Sequence, residues 1–202
     1  MKHHAFTLWA MAMLPLCSAA QPPAERLQTP ALAGHHVVFH SQVETMSLTE
    51  MIPVNETAQD WTQMLSMQVF LGLNHLRPDD YQSVLERDLR NVCPEGKLTA
   101  LQKTRENGYA TSWWVMNCPL RTSTTKPEHT WFKTIEGRDG FYVLQKTFRF
   151  LPQQEQIDQA LQHLSALTLC DPRKFAHPCQ PATLPQPVNA AAPALPTATA
   201  KP

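Results

Sequence analysis

Four cysteines constrain the fold of this 202-residue chain more than any other feature of its sequence. Cys93, Cys118, Cys170 and Cys179 all follow residue 20, and an even number of cysteines in an exported chain is typical of disulfide bonds. Four cysteines allow three connectivities, and the sequence alone does not choose among them. We favour the pairing of nearest neighbours, Cys93–Cys118 and Cys170–Cys179. No Cys-x-x-Cys motif occurs, so structural bridges are a better interpretation than a thiol-exchange enzyme.

The expectation of export comes from the first 20 residues. A basic start precedes an uncharged, largely apolar run over residues 5–16, and small residues follow it. This pattern predicts a signal peptide over residues 1–20, because the apolar run is too short to span a bilayer. We therefore expect a periplasmic protein. Secretion is one alternative, and a lipid anchor at Cys17 is another, although lipid attachment requires a small residue where Leu16 stands.

The charge balance argues against some classes of partner. The chain has 17 basic and 17 acidic residues, and Lys2 is the only formally charged residue in residues 1–20. Removal of residues 1–20 therefore leaves a net charge of −1. Such a balance gives no electrostatic reason to expect nucleic acid or an anionic membrane as partner. After residue 20, no stretch is long and apolar enough to predict a transmembrane helix.

Composition divides the remaining chain into three parts. Residues 21–34 contain three prolines and are expected to form an irregular leader. Residues 181–202 contain six prolines, seven alanines and one charge, a composition that buries too little apolar surface to offset ordering and predicts a disordered tail. Between them, residues 35–180 have the length of a single domain with one core.

Hydrophobic periodicity predicts the strands of this domain. Apolar and polar residues alternate along 61–69 and 141–150, as in strands with one buried face. Asn107-Gly108 is a strong hairpin signal and predicts one strand over residues 98–106 and a second over 109–118. Lys146 is the one departure from the apolar face of the last strand.

Two segments change to a helical period. Over residues 77–92 the apolar side chains form one stripe, with Pro78 at the first helical position, and a second amphipathic helix begins near Pro152. The order of elements is then ββαββββα. We therefore predict an α+β fold in which a mostly antiparallel sheet of about six strands carries two amphipathic helices.

This order of elements resembles that of the Mog1/PsbP-like α/β sandwich, which includes exported bacterial proteins of the DcrB type. The resemblance covers roughly residues 36–169 and rests on element order. It implies a non-enzymatic binding, assembly or accessory protein, and it carries no functional residue onto this chain. The two cysteine pairs depart from the general pattern of that fold.

No motif of a familiar catalytic or cofactor site occurs. Gly-x-Ser-x-Gly, His-Glu-x-x-His, Walker A and Gly-x-Gly-x-x-Gly patterns are absent, and six glycines leave little material for a phosphate-binding loop. We therefore predict no cofactor and a non-catalytic exported binding or accessory protein, whose partner is an envelope protein or a small ligand. The alternative is a hydrolase whose loops bring a histidine such as His129 against a carboxylate and a hydroxyl.

Three histidines suggest a further alternative, a periplasmic metal carrier. Alternation along a strand would place His36 and His40 on one face and His35 on the other. Two imidazoles do not complete a zinc or copper site, and the sequence indicates no third ligand. Solvated histidines at a domain edge are therefore the favoured interpretation.

Five other residues are candidates for binding. Trp113 and Trp114 are consecutive in a predicted strand, so one indole should face each side of the sheet. With Trp131, an exposed indole would suit a carbohydrate or peptide partner, whereas a layered sandwich would cover both faces. Arg121 and His129 fall in the polar loop between the predicted hairpins, where binding residues often lie.

Overall fold

A computed structural model of the chain describes residues 25–174 and Cys179. The predicted signal peptide with Cys17, residues 21–24 of the leader and the predicted tail lie outside the described residues. The elements in the described part are, in chain order, β1 (Arg26–Gln28), β2 (His35–Val43), β3 (Met46–Pro53), β4 (Gln63–Leu71), α1 (Pro78–Val92), β5 (Lys97–Leu98), β6 (Gln102–Glu106), β7 (Tyr109–Cys118), β8 (Glu128–Glu136), β9 (Gly140–Phe148), α2 (Gln154–Ala166) and β10 (Thr168–Cys170).

Eight of these strands form one antiparallel sheet. Its order is β2–β3–β4–β9–β8–β7, and the short strands β5 and β6 both pair with the outer edge of β7. The remaining two strands, β1 and β10, pair with each other in a small separate sheet. The predicted α+β fold, with two helices on a mostly antiparallel sheet, is confirmed.

The main sheet has more strands than the six that periodicity predicted. A two-residue turn at Glu44 and Thr45, where Glu44 takes a positive φ of 49°, separates β2 from β3. A break over residues 99–101 separates β5 from β6. The first is a reversal of chain direction and the second an interruption between two strands that run the same way along β7. Period-two alternation does not by itself mark either one.

The leader is a correction to the sequence analysis, because its described part is not wholly irregular. β1 lies within it, and Leu27 and Leu32 pack against a buried apolar cluster. The Glu25 carboxylate accepts hydrogen bonds from the backbone N–H groups of Arg138, at 2.7 Å, and Asp139, at 2.8 Å. A strand of three residues is too short to show a period in the sequence, so it is the distant pairing with β10 that defines β1 as a strand.

The two helices lie on opposite faces of the sheet. We name these the α1 face and the α2 face after the helix that covers each. The core of the α1 face comprises Leu89, Cys93, Trp114, Met116, Cys118, Phe132, Phe141 and Val143. The core of the α2 face comprises Leu65, Tyr109, Ile135, Tyr142, Leu144, Leu164, Leu167 and Leu169. We expected helices to bury one face of the sheet, whereas both faces are at least partly covered.

Local signals set the ends of both helices. α1 begins at Pro78, which lacks the N–H that would go unpaired there, and it ends where the Cys93 N–H donates to the Leu89 carbonyl at 2.7 Å. α2 begins with a reciprocal capping box between Gln153 and Gln156. No helix in residues 25–174 is both long and apolar enough to cross a membrane.

Both disulfides have the pairing that we favoured. Cys93–Cys118 joins the end of α1 to the end of β7, and both cysteines are fully buried. Cys170–Cys179 closes a shorter loop after β10. Each disulfide lowers the conformational entropy of the unfolded chain and so raises the free energy of unfolding. In the chain-entropy model this contribution is about 3.5 kcal/mol for the longer loop and about 2.7 kcal/mol for the shorter one.

Candidate functional site

The tryptophans divide between the two sides of the sheet. Trp114 lies in the core of the α1 face, and its ring stacks on Phe132 with centroids 4.8 Å apart. Trp113 and Trp131 lie on the α2 face and are half-buried. Trp131 meets Phe148 edge-on, with centroids 5.8 Å apart. Trp114 is therefore a core residue, and the other two indoles remain available to a ligand.

α2 leaves part of its own face open. It packs against β8 and β9, and a groove of about 470 Å³ lies beside it over β6 and β7. We name this the tryptophan groove. Its described lining residues are Thr99, Gln102, Thr104, Trp113, Trp114, Val115, Trp131, Leu161 and Ser165.

The chemistry of the tryptophan groove is aromatic and neutral. Its described lining contains no charged side chain, and the exposed residues Gln102 and Ser165 supply an amide and a hydroxyl. The Lys133 Nζ atom lies behind the groove, 5.2 Å from the centre of the Trp113 ring, and is itself buried. The groove can therefore offer apolar contact and uncharged hydrogen bonds.

Arg121 does not join the tryptophans. Its Nη1 atom donates to Glu128 Oε2 at 2.9 Å, and Arg149 approaches the other oxygen of the same carboxylate at 3.6 Å. The buried Glu128 thus lies between two guanidinium groups at the start of β8. Arg121 fixes the loop that precedes β8, which is a structural role.

His129 lies in a different cleft, which has a volume of about 580 Å³. Glu95, Lys97, Asn117 and Pro119 are its other described lining residues. The His129 Nδ1 atom lies 3.0 Å from the amide oxygen of Asn117, and burial lowers the pKa of the imidazole. The described lining includes a carboxylate but no hydroxyl side chain. The hydrolase hypothesis therefore gains no support from the described surroundings of His129.

The three N-terminal histidines correct the predicted pattern. A β-bulge at Val38 adds one residue to β2, so His36 pairs with Ile52 while His40 pairs with Thr49. Ile52 and Thr49 are an odd number of residues apart and face opposite sides, which puts His36 and His40 on opposite faces. The prediction that they share a face is therefore wrong, and it is His35 that shares a face with His40. Among the described residues, no cluster of three or more potential metal ligands forms.

Two buried lysines are the main feature that site prediction missed. Lys133, on β8, is 0% exposed, and its Nζ atom donates to the carbonyl oxygens of Leu164 at 3.0 Å and Leu167 at 2.9 Å. The same atom lies 2.5 Å from Glu106 Oε2. Burial lowers the pKa of Lys133, and Glu106 partly offsets that effect. Lys133 thus caps the C-terminal end of α2, where carbonyl groups lack helical partners.

Lys146, on β9, is 2% exposed and has no comparable partners. Its Nζ atom is buried without a hydrogen bond within the described structure. Burial lowers its pKa from 10.5 to about 8, and the charge of Glu56 opposes the shift. Burial lowers the pKa values of His35 and His163, and the Lys146 charge lowers both further. Lys146 therefore acts on the titration of both histidines, one of which, His163, belongs to α2.

Comparisons with known proteins find a weak structural resemblance but no family. No family model matches the chain, and no curated protein matches it. Among solved structures, the chain resembles the crystal structure of LpqN involved in cell envelope biogenesis of Mycobacterium tuberculosis, with 10% sequence identity over 76% of this chain and 87% of that chain. The TM-score is 0.38, so the likeness is a weak resemblance of fold.

Proposed function

We propose that this protein is a non-catalytic periplasmic binding protein that holds an uncharged, hydroxyl-rich ligand, a short carbohydrate, in the tryptophan groove. One observation carries the proposal. Two half-buried indoles share an open part of one sheet face, and the described lining around them is rich in hydroxyl and amide groups but has no charge.

The physical argument concerns what such a lining can bind. An indole face offers a large apolar surface at low conformational cost, which suits the C–H face of a sugar ring. Sugar hydroxyls need uncharged donors and acceptors, which Gln102, Thr104 and Ser165 can supply. A charged ligand would lose hydration in the groove without meeting an opposite charge. The volume of about 470 Å³ lies within the range of roughly 300–1,000 Å³ that small-molecule sites occupy.

The disulfides support the compartment in this proposal. Disulfides persist in oxidising compartments such as the periplasm and are rare in the cytosol. Cys93–Cys118 and Cys170–Cys179 both form in the structure, so the chain is suited to such a compartment.

Neutral disaccharides test the function directly. We expect maltose, cellobiose or N,N′-diacetylchitobiose to shift the indole N–H resonances of Trp113 and Trp131, while that of the core residue Trp114 moves less. Trp113→Ala should weaken the binding of the responding sugar at least tenfold, because an interface aromatic commonly contributes more than about 1.4 kcal/mol.

A matched pair on β6 provides the control. Gln102 faces the groove, whereas its neighbour Lys103 faces the other side of the sheet and bridges to Asp79 at 2.9 Å. Gln102→Ala should weaken sugar binding, and Lys103→Ala should leave it unchanged. If none of the three sugars moves the two indole resonances at millimolar concentration, the proposed ligand class is wrong.

A further inference from the structure

The two edges of the eight-stranded sheet differ in how they are protected. At one edge, β6 carries Lys103, Arg105 and Glu106 within five residues, and β5 begins with Lys97. At the other edge, β2 has no Lys, Arg, Asp or Glu over its nine residues. Charged side chains on an edge strand discourage pairing with another chain, and the edge formed by β2 lacks this protection.

Apolar side chains are exposed along this unprotected edge. Val37 is 51% exposed, Phe39 46% and Val43 58%, and Met46 beyond the turn is 45% exposed. Phe39, Val43 and Met46 lie on the α1 face, at the part of the sheet that is farthest from α1's own core contacts on β7, β8 and β9. Among the described strands, none pairs with the outer side of β2, so backbone groups there are open to another strand.

The regular part of β2 begins after the bulge at Val38. Phe39 to Val43 pair without interruption with Glu50 to Met46 of β3. In this segment Phe39, Ser41 and Val43 point to one face, and His40 and Gln42 point to the other. The segment therefore has regular strand pairing and no charged side chain, two properties that favour the addition of another strand.

We propose that β2 pairs with β2 of a second copy of this chain, antiparallel and centred on Ser41, to join two sheets into one. A two-fold axis through Ser41 places Phe39 of each copy directly opposite Val43 of the other. His40 then lies opposite Gln42, and Ser41 opposite itself. The segment is thus complementary to itself, with apolar opposite apolar, polar opposite polar, and no pair of like charges.

A second copy is the occupant that this arrangement favours. Antiparallel pairing about a two-fold axis uses the same patch on both chains and closes after two copies. Two contacts form at once between exposed apolar side chains, one on each side of the axis, because Phe39 of each copy packs beside Val43 of the other. A heterologous strand would have to supply both apolar residues at the same spacing, and nothing else in the described residues favours one.

The test uses charge at the axis. Sedimentation velocity of the purified oxidised chain over a concentration series should show a species of twice the monomer mass that grows with concentration. Ser41→Lys places two ammonium groups face to face across the axis, and Ser41→Glu places two carboxylates there, so each variant alone should be monomeric. Directly opposed like charges destabilise strand pairs, whereas opposite charges stabilise them. Leu151→Lys, at a site 79% exposed and outside the sheet, should dimerise like the wild type.

The mixture of the two Ser41 variants decides the register. An equimolar mixture of Ser41→Lys and Ser41→Glu should recover the dimer, because a lysine then opposes a glutamate. Circular dichroism of each variant establishes that it is folded. A wild type that stays monomeric at every concentration overturns the proposal, as does a Ser41→Lys variant that dimerises normally. A mixture that remains monomeric overturns the pairing centred on Ser41.

Discussion

Lys133 and Lys146 lie on neighbouring strands, on the same face of the sheet, and are almost equally buried, yet among the described residues only Lys133 has hydrogen-bond partners. Lys133 contacts a carboxylate and two carbonyl oxygens of α2's last turn. The ammonium group of Lys146 has no hydrogen bond within the described structure, and it lies 5.6 Å from the centre of the Phe148 ring. One buried cation therefore stabilises the attachment of α2, and the other works against it.

The difference shows that burial alone does not tell what a charged residue contributes. A buried charge that is paired and hydrogen-bonded becomes costly when one partner is removed. A buried charge without partners is costly while it is present, so its removal should stabilise the protein. The two lysines predict effects of opposite sign from the same substitution.

The largest effect is expected for Lys133→Met. The substitution leaves Glu106 without its cation and the carbonyl groups of Leu164 and Leu167 without a donor. We expect the free energy of unfolding in urea to fall by about 3 kcal/mol. Lys103→Met, which breaks an exposed bridge to Asp79, is the control and should change stability by about 1 kcal/mol or less. Equal losses in the two variants would remove the structural role assigned to Lys133.

Lys146→Met should act in the opposite direction. A methionine fills similar volume without a charge, so we expect the free energy of unfolding in urea at pH 7 to rise by about 2 kcal/mol. A loss of stability would mean that the ammonium group of Lys146 has a partner that the structure does not show.

The pH dependence of the wild type gives a second measurement of the same residue. The folded-state pKa of Lys146 is about 8, below the unfolded value of 10.5, so the unfolded chain binds more protons between these values. Wild-type stability should therefore rise relative to Lys146→Met as the pH increases from about 8 towards 10. Parallel curves for the two proteins over this interval would contradict the lowered pKa.

A smaller loss is expected for Glu106→Gln. The amide removes the negative charge but keeps an oxygen near Lys133, and the two carbonyl acceptors of α2 remain. We expect a loss of about 1 kcal/mol in urea unfolding, well below the effect of Lys133→Met. If the glutamine variant loses as much as the methionine variant, the carboxylate and not the helix cap is the main partner.

The smallest effect concerns acid and His163. Burial, and then the charge of Lys146, lower the pKa of His163, so the unfolded chain takes up a proton at higher pH than the folded chain does. Stability should therefore fall as the pH drops below about 6.5, the unperturbed value for histidine. His163→Leu should reduce this fall, which urea unfolding at pH 7 and pH 5 would measure. His75 is exposed, so His75→Leu is the matched control and should leave the acid sensitivity unchanged.

The sequence predicted features that depend on neighbours along the chain. The stripe over residues 77–92 predicted α1, the Asn107-Gly108 hairpin signal predicted β7, and nearest-neighbour pairing gave both disulfides. The opposite orientation of Trp113 and Trp114 followed from their consecutive positions in that strand. In each case the signal lies within one element or one short loop.

Features that depend on distant pairing were not predictable in this way. β1 and β10 are 140 residues apart in sequence and only three residues long, so neither shows a period. The bulge at Val38 reversed the expected faces of His36 and His40, because one added residue changes the parity of every later position. Lys146 was visible as an irregularity in an apolar face, but its lack of a partner depends on α2, which packs there only in the folded chain.

The contrast between the two lysines depends most on the ammonium group of Lys146, which has no hydrogen bond within the described structure. The pKa of that group can be measured directly. A titration followed by the ¹³Cε resonances of the lysines, with Lys146 assigned from the spectrum of Lys146→Met, reports that group alone. We expect a midpoint near pH 8 for Lys146. A midpoint for Lys146 at about 10.4, the value of a solvated lysine, would contradict the claim that this ammonium group is buried without a hydrogen-bond partner.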